Sequence, residues 1–315
     1  MSVRTFTQRT LASRAARSGA SGDGDGGRPG QGARLGGRAE ILAAACLWGT
    51  AGPASTLAPI SSVGVSSVRI VLGGLLLLAW AALTARGAGL LALLRRGGRT
   101  RALLAVGVVC TGLYQTSYYA SVDRTGVAVA TIVSVGCAPA FAGLIDRRGL
   151  SRRWAVSTVG AVAGCALLVG GGEGAGADPA GVLLALLCGF VYAVYTTITS
   201  RLLARGEQDR AIVGVLFGGA ALVLLPVPFL LPSGWFLTGT GMLVTGYLGI
   251  ITITVAYALF AKGLRTTPAA TATTLTLAEP AVAALIGLTL LGEHLGPVAL
   301  GGLGLLAASL VVLVL

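Results

Sequence analysis

Residues 265–291 read RTTPAATATTLTLAEPAVAALIGLTLL. The stretch is apolar and long enough to cross a bilayer, which takes about 20 residues of helix. Yet it carries a carboxylate, Glu279, directly before Pro280. A charge near the middle of a span is costly unless it is paired, protonated or faces water. A proline there leaves one backbone carbonyl without its helical donor. The same frame occurs earlier in the chain, because Arg124 precedes Pro139 by fifteen residues and Arg265 precedes Pro280 by fifteen.

The rest of the composition agrees with a membrane setting. Of 315 residues, 55% are hydrophobic and 11% charged, and the mean hydropathy is +0.86. A soluble domain of this size could not hide so much apolar surface in its core. The net charge of +12 would suggest nucleic acid in a soluble protein. Here the arginines lie between apolar runs and report membrane topology instead, so no nucleic-acid partner is expected. The five cysteines, Cys46, Cys110, Cys137, Cys165 and Cys188, fall inside apolar runs without metal-ligand spacing. They read as small packing residues, and no metal or other cofactor is expected.

Residues 1–40 are rich in Arg, Gly and Ser and read as a disordered basic cytoplasmic tail. Their first part also has the composition of an organelle transit peptide. Ten candidate spans follow, at roughly 42–60, 65–84, 102–121, 125–145, 154–171, 180–200, 211–231, 240–261, 267–291 and 297–315. The tail holds seven arginines. Connections 86–101, 146–153, 201–210 and 262–265 hold five, four, three and two Lys or Arg, so these alternate segments carry 21 of the 23. The other side keeps Arg69 and Arg124, with Asp123, Glu173, Asp178 and Glu293. Positive residues stay inside. Both termini are therefore expected in the cytoplasm of a multi-pass cell-membrane protein.

Shifting the chain by 141 positions puts Arg69 on Arg210, Gly73 on Gly214 and Pro139 on Pro280. Between Ala120 and Ile145 nine of 26 positions meet identical residues without a gap, against about three from shared composition alone, which indicates duplication. Each copy has five spans, an odd number, so the two must enter the membrane from opposite sides. The fold expected is an all-α polytopic membrane protein of ten transmembrane helices, built as two inverted five-helix repeats at 41–173 and 178–315. Inverted repeats are the architecture of transporters that alternate access around a midplane site.

The chain resembles the drug/metabolite transporter superfamily, in particular its EamA-type exporters. The resemblance rests on Trp48-Gly49, Arg69, YYASVDRTGVAVATIVSVGCAP at 118–139, its counterpart LFAKGLRTTPAATATTLTLAEP at 259–280, and LLGEHLGPVALGGLGLLAASLVVL at 290–313. It covers about residues 41–315. One departure is LIDRRGLSRRW at 144–154, where the family often has Gly-Glu. The resemblance implies a basket of ten helices around a central cavity and export of small organic solutes such as amino acids, related metabolites or drugs. An importer or facilitator of the same fold is the alternative. A membrane enzyme lacks a nucleophile–base set or metal cluster here, no ATP-binding loop is present, and a channel would not need two inverted halves.

Several residues are candidates for the solute path. Glu279 either lines the cavity and takes a proton or a cationic substrate group, with protonation coupled to transport, or is paired or protonated and merely holds helix nine. Pro139 and Pro280 are candidate hinges or static kinks. Tyr114 and Gln115 lie too deep for an interfacial aromatic belt. Trp48 on span one, and Tyr192 and Tyr195 on span six, are polar-aromatic groups on repeat-matched helices. Thr276 lies one turn before Glu279. Arg69 and Arg210, at the starts of matched spans, read as anchors of helix ends.

Overall fold

Long apolar runs punctuated by glycine, proline and arginine can satisfy their backbone in a bilayer only as helices. A computed structural model of the chain describes residues 31–55, 57, 62–147, 150–170, 178–230, 234–290, 294 and 296–315, with no strand among them. The helices are α1 (Gln31–Gly49), α2 (Ala51–Ser55), α3 (Ser62–Leu83), α4 (Ala88–Leu94), α5 (Gly98–Ile145), α6 (Arg152–Gly170) and α7 (Pro179–Ala204). They continue as α8 (Asp209–Leu224), α9 (Val227–Leu230), α10 (Gly239–Gly246), a π-helical segment Tyr247–Val255, and α11 (Ala256–Gly263). The chain closes with α12 (Ala269–Leu275), α13 (Ala278–Leu290) and α14 (Pro297–Val314). From Gly32 onward they form one compact unit.

Among the described residues, seven segments are long and apolar enough to cross a membrane: Gly64–Leu83, Arg152–Gly170, Pro179–Ala204, Asp209–Leu230, Gly239–Gly263, Ala269–Leu290 and Pro297–Val314. Val129–Ile145 is a shorter apolar helix. Two of the expected spans merge in α5, whose 48 residues are kinked at Gly126, with φ 77° and ψ 163°. That backbone suits glycine because it has no Cβ to clash. The kink comes two residues after Arg124, the charged position at which a loop was expected.

Residues 1–30, most of the expected tail, lie outside the described residues, while its last ten residues, 31–40, belong to α1. Tertiary contacts hold this Gly-rich turn in helix where composition alone would not. A Cβ on Gly37 would fall 2.9 Å from the Gly263 carbonyl, so only a glycine lets α1 lie so close to the turn after α11. Arg38 donates to the Val314 carbonyl at 2.6 Å, and Glu40 pairs with Lys262 at 2.5 Å. This Arg-rich end is tied further by Arg96–Glu207 at 2.7 Å and Arg265–Asp209 at 3.7 Å. Such exposed pairs contribute about 0–1 kcal/mol each.

Small residues decide how the long helices meet. In lipid no hydrophobic drive brings helices together, so close backbone approach and dispersion do the holding. Helix α6 packs along α14, α3 along α8, and α5 along α7. At the first contact a Cβ on Gly164 would sit 2.8 Å from the Gly302 carbonyl, and one on Gly302 would sit 2.4 Å from the Leu168 amide. At the second, Gly74 would meet the Phe217 carbonyl at 2.4 Å and Gly214 the Ala81 methyl at 2.6 Å. Backbone cannot give way as a flexible side chain can. The Gly302→Val variant is therefore expected to lose about 1–3 kcal/mol of stability, read as a lower melting temperature of the detergent-solubilised protein. An unchanged melting temperature would contradict this close packing.

Candidate functional site

Span nine is not one helix. α12 ends at Leu275 and α13 begins at Ala278, with Thr276 and Leu277 in a turn between them. The cause is legible at the backbone. Pro280 has no N–H to give the Thr276 carbonyl, and that carbonyl instead accepts the Glu279 amide at 3.0 Å. The Leu277 amide turns back to the Thr274 carbonyl at 3.1 Å. Glu279 thus sits in the first turn of α13, where the helix dipole favours negative charge. It lies at the middle of the Ala269–Leu290 span, the depth at which broken helices of transporters expose their ends to solute.

The break opens on a cavity of about 30 Å³ lined by Trp48, Arg69, Tyr114, Val135, Tyr192, Tyr257, Thr276 and Glu279. That volume holds a water or two but no organic solute, so this conformation is a contracted one. The walls come from seven parts of the chain: α1, α3, each of the two arms of α5, α7, α11 and the span-nine break. Their side chains are positioned by specific contacts. Trp48 Nε1 donates to the Thr252 carbonyl at 2.9 Å, inside the π-helical segment. Its ring lies 4.7 Å from Tyr257 and 5.4 Å from Phe260. The Tyr192 hydroxyl donates to Thr276 Oγ1 at 3.1 Å, and Thr276 passes its own proton to the Thr273 carbonyl at 2.8 Å. Tyr114 closes the row, 5.6 Å from Tyr192 and 6.2 Å from Tyr195.

Five of the seven residues singled out from sequence as solute-facing therefore share one cavity: Trp48, Tyr114, Tyr192, Thr276 and Glu279. Gln115 and Tyr195 are not in its lining. Gln115 is buried beside it on the same helix, and Tyr195 stands behind Tyr192 at 5.3 Å, in the second row with Phe217. The two prolines differ. α5 runs on through Pro139 without a break, whereas span nine opens just before Pro280.

Arg69 is the residue that sequence reasoning misplaced. α3 starts at Ser62, so Arg69 lies seven residues in, about 10 Å along the axis at 1.5 Å per residue. Its repeat mate Arg210 is the second residue of α8 and does hold a helix end, donating to Gln208 Oε1 at 3.3 Å. Arg69 instead faces the cavity, and its buried Nε has no hydrogen-bond partner among the described residues. The signal available was the length of apolar chain before each arginine. Tyr257 was also missed, for it lies just outside the repeated motif, two residues beyond the π-helical segment.

The sequence matches the EamA-like transporter family twice, over residues 37–170 and 179–315. This chain belongs to the EamA-like transporter family. Its members are transporters, not enzymes, and the chain is a multi-pass membrane protein. It is similar to the uncharacterized transporter YwfM of Bacillus subtilis, 36% identical over 87% of this chain and 92% of that protein. The threonine/homoserine exporter RhtA of Escherichia coli K12 is 30% identical over 85% of this chain and 88% of its own length. An uncharacterized inner membrane transporter of Salmonella typhimurium, YicL, is 26% identical over 81% and 87%. A protein of known crystal structure shares the fold at a TM-score of 0.74 and 18% identity, covering 88% of this chain and 95% of that one.

Proposed function

We propose that this EamA-family protein is a secondary active transporter that exports small organic solutes across the cell membrane by alternating access. The observation that carries the reading is the broken span nine, which brings Thr276 and Glu279 to a midplane cavity walled by aromatic side chains from both halves of the chain. An apolar wall with a few convergent polar groups is what a small-solute site needs. In this reading α1 and the two arms of α5 join the seven long apolar segments to make ten spans, and the Lys- and Arg-rich connections hold both termini in the cytoplasm. Packing between repeat-matched helices supports two inverted halves: α3 lies on α8 and α6 on α14. Pro139 and Pro280 are the hinge points, with Pro280 the one already opened.

Export of amino acids or related metabolites is favoured by the likeness to RhtA. Glu279 is the coupling residue, taking either a proton or a substrate ammonium group. Because the two compete for one carboxylate, protons entering from outside displace the solute there. Cells overproducing the protein are expected to tolerate higher external concentrations of toxic amino acids than cells carrying an empty vector. The check is a growth screen against toxic amino acids and drugs. Protection against none of them contradicts export.

A further inference from the structure

The cavity carries two opposite formal charges, Arg69 on α3 and Glu279 on α13, and no ion pair within 4.0 Å joins them among the described residues. The rest of the lining is one indole and three phenol rings, the Thr276 hydroxyl and Val135. The Thr276 hydroxyl is already committed, to Tyr192 and to the Thr273 carbonyl, and the Trp48 N–H is committed to the Thr252 carbonyl. The Arg69 Nε is not. A buried donor left unpaired is costly, and most so on a charged group. A guanidinium offers several donors in a planar fork that fits a carboxylate.

From this we infer that the site recognises the zwitterionic head of an α-amino acid, with Arg69 taking the substrate carboxylate and Glu279 the ammonium group. The inference rests on the transporter reading above and names its substrate class and its second polar contact. Charge balance selects the head group. A zwitterion matches both walls and adds no net charge to the low-dielectric interior, where unpaired charge is expensive. A cationic amine would satisfy Glu279 and leave Arg69 facing a like charge. A carboxylic acid without an amine would do the reverse. The aromatic rings serve the same head, since ammonium groups are attracted to indole and phenol faces. The side chain of the substrate then lies toward Val135 and the opening of the cavity, and the contracted volume must widen before it enters.

The test uses the purified full-length protein in liposomes with three labelled probes: L-threonine, L-threonine methyl ester, which lacks the anionic charge, and N-acetyl-L-threonine, which lacks the cationic one. Wild type is expected to take up threonine saturably and to prefer it to the methyl ester. The Arg69→Gln variant is expected to lose about 10- to 100-fold of that preference, the range for one hydrogen bond to a charged group, while still moving the ester. Arg69→Lys, which keeps the charge but not the fork, falls between the two. The ratio of acid to ester is the readout, because a merely structural defect lowers both rates together. An unchanged ratio in Arg69→Gln overturns the assignment of Arg69 while leaving the transporter reading in place. Failure of both arginine variants to yield folded protein moves the same test to the ligand: wild type that carries the ester or the N-acetyl acid as well as threonine overturns the assignment. Saturable uptake by wild type of none of the three overturns both.

Discussion

Exchange of Glu279 for Gln yields a protein that inserts and folds but whose transport no longer changes with pH. The amide keeps the volume and the hydrogen-bonding edge of the carboxyl group, and the Glu279 amide N–H bond to the Thr276 carbonyl is untouched, so the break in span nine survives. What disappears is the one group in the cavity able to exchange a proton for an ammonium ion. On the proposed coupling, an acidic exterior would protonate Glu279 and speed solute release, so export by the wild type should rise as the outer pH falls. The variant should show a flat profile and export slower by about 10-fold or more, as expected when a buried charged partner worth upward of 1.5 kcal/mol is removed. Flux into inverted vesicles, whose lumen corresponds to the cell exterior, measured at several luminal pH values decides it. A variant with the wild-type slope would assign the carboxylate to holding helix nine and nothing more.

The second large effect is at Pro280. Restoring an N–H with Pro280→Ala offers the Thr276 carbonyl an ordinary helical donor, and the turn at Thr276–Leu277 can close into a continuous helix. A proline in a helix interior disfavours it by about 3 kcal/mol, so its removal shifts the chain toward the unbroken form by a comparable amount. Turnover should then fall by about 10- to 100-fold, while the protein's melting temperature holds or rises. The opposite pairing, full turnover with a lower melting temperature, would show that the break does not move during transport. Pro139→Ala is expected to do less, because α5 already runs through that position as helix.

The helical architecture was legible because every span had to satisfy its own backbone, which leaves a strong apolar pattern. The site was partly legible for the same reason. Glu279 stands out as a charge where none is tolerated without cause, and the aromatic groups at Trp48, Tyr114 and Tyr192 sit too deep for an interface. What the pattern could not supply was helix register. Arg69 and Arg210 align in the repeat, yet one is seven residues into its helix and the other at its end, and only that offset separates a cavity residue from an anchor. The π-helical stretch Tyr247–Val255 leaves no mark in hydropathy either. Tyr257, two residues past its end, lies with its ring 4.7 Å from Trp48. The helical start at Gln31 was hidden because Gly32, Gly36 and Gly37 read as breakers, while Gly37 is there for close approach to Gly263.

Counterflow bears most directly on alternating access around this midplane site. Proteoliposomes preloaded with unlabelled L-threonine and diluted into labelled L-threonine should accumulate label transiently above its equilibrium level, because each outward trip of a loaded site returns with a labelled molecule. Label that rises only to equilibrium, at the same rate with and without preloading, would contradict a single site exposed to one side at a time.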